Sequence, residues 1–179
     1  MIFKEIKIKG AYIIELEKNE DERGFFARSF CQKEFKEHGI DFNIAQCNVS
    51  YNNKKGTLRG MHYQSAPFEE AKLVSCTRGR IYDVIIDLRT DSNTYCKWLA
   101  IELSEENNKV LYVPKGLAHG FQTLENNSIV FYQMSEFFNP EYSQGIGWDD
   151  SLFSIIWPLD SRIISIKDKK LPSYRKNIL

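Results

Sequence analysis

The sequence predicts an all-β domain, a sandwich or barrel, on three observations. Short β-like runs recur at residues 11–16, 73–77, 81–88, 98–103, 110–113 and 129–134, separated by turn residues such as Asn, Asp, Lys and Gly. Helix is the minority: residues 32–38 read as one helix closed by Gly39, and a second piece follows Ser165, where Ser-Ile-Lys-Asp matches a capping box. Apolar residues are spread evenly over the 179 residues, with no Ser/Gly/Pro-rich linker, repeat or low-complexity tract, so one domain over 1–179 is expected.

Composition narrows the function classes. The 24 basic and 24 acidic residues balance, so no global field draws the chain to nucleic acid or anionic lipid, and an anionic ligand must be held by a local cluster. Cys31, Cys47, Cys76 and Cys96 are far apart with no C-x-x-C pair, which favours reduced thiols over a zinc or redox motif. Charges begin at Lys4 and Glu5, and no apolar run approaches the ~18 residues that span a bilayer. A soluble, cytoplasmic protein is the expectation.

In the run 81–88, alternation puts Ile81, Asp83, Ile85 and Asp87 on one face and Tyr82, Val84, Ile86 and Leu88 on the other. Carboxylates among apolar neighbours suggest a lined cavity; a face turned to solvent is the alternative. Of the three histidines, His38 ends a polar helix and suits the C-terminal dipole. His62 lies in Gly56-Thr57-Leu58-Arg59-Gly60-Met61-His62-Tyr63-Gln64, a strand bracketed by glycines with Arg59 and His62 at odd spacing. His119 closes the Pro/Gly turn of Pro114-Lys115-Gly116-Leu117-Ala118-His119-Gly120-Phe121, which leads into another strand.

Glycines around His62 and Gly79, followed by Pro-x-Gly-x-x-His, resemble the two cupin motifs of a double-stranded β-helix (jelly-roll) barrel. Metal-binding cupins carry a His-x-His pair, then Glu and a later His. Here Gln64 replaces the second histidine, and a carboxamide is a poor transition-metal ligand, although Glu69 or Glu70 and His119 keep the order. A narrower resemblance covers nearly the whole chain. Asp21-Glu22-Arg23-Gly24-Phe25-Phe26, Leu58 to Gln64, Lys72-Leu73-Val74, Arg78-Gly79, Tyr82-Asp83-Val84, Ala118-His119-Gly120-Phe121, Phe131-Tyr132, Gly145-Ile146-Gly147-Trp148-Asp149-Asp150, Trp157-Pro158 and Lys167-Asp168 are similar to segments of dTDP-4-dehydrorhamnose 3,5-epimerases.

That resemblance implies a metal-free and cofactor-free isomerase acting on a nucleotide-linked 4-keto-6-deoxyhexose in deoxysugar biosynthesis. The C3 and C5 protons of such a sugar are acidified by the carbonyl. Inverting a carbon then needs a base on one face, an acid on the other, and positive charge at the forming enolate oxygen. Imidazole, with an ordinary pKa of ~6.5, makes His62 the candidate base, and by resemblance Asp168 orients it. Asp168 is equally readable as part of the capping box. Tyr132 is the candidate acid by the same resemblance; otherwise it reads as a core tyrosine sharing a face with Val130 and Met134. Lys72, set like the family lysine, and Arg59 are the cations assigned to the enolate oxygen and the phosphates, both otherwise reading as solvated surface charges, and by resemblance His119 is a pocket residue supported by Asp83. Arg23, Gln46, Asn48, Glu141 and Lys167 match further nucleotide contacts, and Phe138 the ring stacked on the base, where the family usually has tyrosine.

Two departures touch the nucleotide or sugar end: Arg28 stands where an acidic residue is common, and the stretch 46–56 is one residue longer. Inversion at C3, C5 or both is left open. Two rivals remain: a sugar-nucleotide ketoisomerase or metal-dependent cupin, and a non-catalytic carbohydrate-binding barrel. The family also implies a homodimer in which N-terminal strands reach across, with which the apolar run 12–16 is compatible.

Overall fold

The computed structural model describes residues 1–160 and 162–175. In chain order the elements are β1 (Ile2–Glu5), β2 (Tyr12–Glu15), β3 (Lys18–Asp21), β4 (Gly24–Ala27), α1 (Gln32–Glu37), β5 (Gln46–Asn52), β6 (Thr57–Gln64), β7 (Lys72–Arg78), β8 (Arg80–Asp87), β9 (Trp98–Ser104), β10 (Lys109–Val113), β11 (Leu117–Thr123), β12 (Ser128–Met134), β13 (Ser143–Gly145), β14 (Ile163–Ile164) and α2 (Ile166–Lys169). Two sheets face each other, one ordered β1-β2-β10-β7-β12-β5 and the other β13-β6-β11-β8-β9, with β14 added in parallel to β6. Strands β3 and β4 form a separate hairpin. This is the expected all-β, cupin-like jelly roll.

Three apolar clusters hold the layers. Val74, Cys76, Ile81, Ile85, Leu103, Leu111, Val113, Phe121 and Val130 fill the space between the sheets. Phe35 of α1 and Phe42 cover the back of the first sheet over Ile14, Leu73, Val110 and Tyr112. Ile146, Phe153 and Trp157 cover the back of the second over Val84, Ile86 and Ala118. Both faces of β8 are therefore buried, and the solvent-facing alternative for its carboxylates is overturned: Asp83 and Asp87 are 0% exposed. Burial on both faces also explains why strands such as β8 and β11 lack a polar side.

All six expected strands are present, with ends shifted by a residue or so, and Gly39, at φ +73°, follows α1 as expected. Strands β1, β3, β4, β5, β13 and β14 were not anticipated. The hairpin β3–β4 has no buried face to imprint an apolar alternation. In β5 the alternation is inverted: Gln46, Asn48 and Ser50 turn inward while Cys47, Val49 and Tyr51 are exposed, because the barrel interior is polar at that end.

Candidate active site

A cavity of about 610 Å³, within the ordinary range for a small-molecule site, opens between the sheets. One wall comes from the first sheet. Tyr132 of β12 lies opposite Asn48 of β5 and Val74 of β7 in the ladders, and Met134 lies opposite Gln46 and Lys72, so these side chains share the inward face. The other wall comes from β6 and β11, whose His62 and His119 are direct ladder partners.

The odd spacing of Arg59 and His62 has a backbone cause. Between the pairs His119 with His62 and Phe121 with Arg59, β11 moves two residues and β6 three. The extra residue of this bulge turns both side chains to one face, and both line the cavity. Gly60 permits it: at φ +115° a β-carbon there would sit 2.6 Å from the Gly120 Cα.

His62 Nε2 lies 2.9 Å from Asp168 Oδ1, a contact spanning 106 residues. Both readings of Asp168 hold. Its backbone N–H donates to the Ser165 Oγ at 3.0 Å as a helix cap, while its carboxylate faces His62 and accepts from the Gly60 N–H at 3.5 Å. Burial pushes the Asp168 pKa up, but the hydrogen bond and charge of His62, aided by Gly60 and Ser165, outweigh it and hold the carboxyl below its usual range. An ionised carboxylate only accepts, so Nε2 carries the proton and Nδ1 is the basic nitrogen.

His119 Nε2 is 2.9 Å and 3.0 Å from the two Asp83 oxygens, with Asp83 behind it and not on the cavity surface. Burial dominates there and raises the Asp83 pKa against the pull of His119 and Lys72. The Lys72 ammonium, almost buried, sits 3.0 Å from Glu70 Oε1 and donates to the His62 carbonyl at 3.3 Å. Burial raises the Tyr132 phenol and the Arg59 charge partly offsets this, so it stays a proton donor at neutral pH. Arg59 is steered by its Nε, which donates to Asn52 Oδ1 at 2.8 Å.

Of the residues singled out in the sequence, His62, Tyr132, Asp168, Lys72, Gln46, Asn48, Arg59, His119, Phe138 and Lys167 line this cavity. Arg23 and Glu141 do not. Arg23, with an 85% exposed side chain, is at the hairpin turn and paired with Asp21 at 2.5 Å, and Glu141 is exposed beyond Phe138. The resemblance places both in the nucleotide site; within one protomer neither lines the cavity, Arg23 because it belongs to the separate β3–β4 hairpin and Glu141 because it is exposed, although Phe138 and Ser143 on either side of it do line the cavity. Sequence reasoning missed Ser50, Tyr63 and Ser143 as lining residues and gave Glu70 only a place in a metal-ligand order; Glu70 instead pairs with Lys72. The inverted alternation of β5 was the available signal for Ser50.

Comparison with known proteins agrees with this geometry. The chain is 42% identical over 178 residues to a dTDP-4-dehydrorhamnose 3,5-epimerase of Methanothermobacter thermautotrophicus, covering 98% of this chain and 95% of that one. The crystal structure of a dTDP-4-dehydrorhamnose 3,5-epimerase from Bacillus anthracis with TDP and pyrophosphate bound superposes with a TM-score of 0.94 at 40% identity, covering 97% and 99% of the two chains. That of a 3,5-epimerase from Legionella pneumophila in complex with dTDP-4-keto-L-rhamnose gives 0.91 at 36%, covering 96% and 92%. With a barrel of this shape, a His-Asp pair opposite a tyrosine, and the family model matched over residues 5–176, the chain belongs to the dTDP-4-dehydrorhamnose 3,5-epimerase family.

Proposed function

We propose that this protein is an isomerase that epimerises a dTDP-linked 4-keto-6-deoxyhexose through an enolate, in the rhamnose branch of deoxysugar biosynthesis. The observation that carries the reading is that His62, backed by Asp168, and Tyr132 enter one cavity from opposing sheets, with Lys72 in the same space. A base and an acid on opposite walls is what inversion requires, since a proton removed and returned on one face changes nothing.

His62 Nδ1 takes the proton from the carbon beside the carbonyl, and Asp168 stabilises the imidazolium formed. Lys72 offers a fixed positive charge to the oxygen as electron density moves onto it. Tyr132 returns a proton on the far face. The ketone itself acidifies the C–H bond, so the step calls on no cofactor. Arg59, Lys167, Gln46 and Asn48 suit the phosphates and Phe138 the base, while His119 with Asp83 borders the sugar end. The 42% identity to a 3,5-epimerase favours inversion at both carbons.

We further read the chain as one domain that works in the cytoplasm as a homodimer. No described helix is long and apolar enough to cross a membrane. The projecting β3–β4 hairpin, with Phe26 75% exposed, is suited to reaching a second copy, which would carry Arg23 toward the partner's cavity.

The test incubates the protein with dTDP-4-keto-6-deoxyglucose in heavy water and follows deuterium at C3 and C5 by NMR. Wild-type protein incorporates label at both carbons. His62→Asn abolishes exchange, by at least ~100-fold as general base catalysis is lost, with dTDP binding kept; Tyr132→Phe spares exchange more than net inversion. Wild-type exchange in the His62 variant would remove that residue from the base role, and dTDP-sugar binding with no exchange at all would leave a binding barrel.

A further inference from the structure

The geometry points to Gln64 as the positioning residue that holds Phe138 over the nucleobase end of the cavity. Gln64 is the last residue of β6, two places from His62, and only 4% exposed. Its Nε2 donates to the Phe68 carbonyl at 2.8 Å and to the Phe137 carbonyl at 3.2 Å, while its Oε1 accepts from the Asn139 N–H at 2.6 Å. From β5, Gln46 Oε1 accepts from the Phe138 N–H at 2.6 Å. Two glutamine side chains thus grip three successive backbone residues, and among the described residues they make every hydrogen bond between that tip and the barrel.

Among the described residues, the loop's other hydrogen bonds to the barrel are at its ends. Ala71 and Ser135 exchange hydrogen bonds, and the Ser65 N–H donates to the Tyr142 carbonyl at 3.0 Å. Phe138 itself is 56% exposed, so packing does not fix it. A ring already held in place stacks on a base without further cost, whereas a wandering loop must be ordered at the moment of binding, which weakens affinity. The amide is chemically specific for the task. It presents two N–H donors and a carbonyl acceptor in one plane, whereas a carboxylate of the same shape has no donor and an imidazole cannot serve two carbonyls and an N–H at this spacing. This assigns a structural reason to the glutamine at the position where a metal-binding barrel carries its second histidine.

The proposal rests on the reading of Phe138 as the stacking ring, and the experiment separates the two. The dissociation constant of dTDP is measured by calorimetry for wild type, Phe138→Ala, Gln64→Glu and the double variant, with Gln64→Met in parallel to keep the packing if the carboxylate compromises folding. KM and kcat are measured for inversion. Phe138→Ala is expected to weaken dTDP roughly tenfold through lost stacking. Gln64→Glu and Gln64→Met are each expected to weaken it by about the same factor, with the loss falling on KM rather than kcat. In the Phe138→Ala background, either Gln64 change costs less than about twofold, because there is no ring left to position. Full additivity in the double variants, with Phe138→Ala alone weakening binding, overturns the role of Gln64 and leaves the stacking reading intact. Unchanged dTDP affinity in Phe138→Ala overturns both.

Discussion

Glu70 and Lys72 show how much one buried pair asks of its surroundings. The two side chains are 4% and 8% exposed, Glu70 Oε1 meets the ammonium at 3.0 Å, and Glu70 Oε2 is buried with no partner among the described residues. Such a pair adds little net stability, but removing one member strands the other charge, which costs about 3–5 kcal/mol. Glu70→Ala is therefore expected to lose on the order of 3 kcal/mol in urea unfolding, and Glu70→Ala combined with Lys72→Met to recover more than half of it. Equal stability of the single and double variants would mean that water reaches the ammonium. Keeping a costly cation here is sensible if it serves the reaction, which is the role proposed for Lys72.

At the scale of elements, β8 carries two buried carboxylates with opposite fates. Asp83 is opposed only by His119 and the field of Lys72, so burial wins and its pKa rises. Asp87, at the strand end, also feels burial upward, yet Arg89, Thr94 and Ser92 overcome it and bring the carboxyl to about 2. Those groups lie in the 88–96 turn, with Thr94 Oγ1 donating to Asp87 Oδ2 at 2.6 Å and Arg89 Nη2 at 2.8 Å. Because the folded pKa is below the ordinary value of 3.8, the stabilisation is fully present above pH ~4 and fades as pH falls toward 2. It amounts to on the order of 2 kcal/mol. Asp87→Asn should be less stable than wild type by about that amount at pH 7, with the gap narrowing as pH falls below ~4 and closing only below about pH 2. A gap independent of pH would assign the turn's stability to packing.

For the whole molecule, assembly turns on the edge strand β5 and the β3–β4 hairpin. Val49 and Tyr51 on the edge strand β5 are 66% and 50% exposed, and the β3–β4 hairpin exposes Phe25 and Phe26, apolar side chains that the proposed second copy would cover. Sedimentation is expected to give a dimer for wild type. Val49→Arg, which costs the isolated protomer little because the side chain is already in water, should shift the equilibrium toward monomer and reduce inversion together with it. A monomeric, fully active wild type would end the idea, and with it the delivery of Arg23 across an interface.

The all-β class was legible in the residues alone, since runs of alternating residues with turn chemistry between them are local signals that need no partner to be read. The sequence also carried the chemistry of the site, because ordered motifs such as Leu58 to Gln64 and Ala118 to Phe121 resemble those of one epimerase family; by residue type alone Tyr132 reads as a core tyrosine and Asp168 as a helix cap. How those residues meet came from long-range packing. The bulge at Gly60 turned Arg59 and His62 to one face, the return of the chain brought Asp168 to His62 across 106 residues, and the sheet pairing set Tyr132 on the wall facing them. Arg23 and Glu141 fell outside the cavity, and Glu70 and Gln64 gained partners that no spacing foretells. The physical reason is one of range: backbone propensity acts over a few residues, whereas a shared cavity is set by contacts between segments that the chain itself keeps far apart.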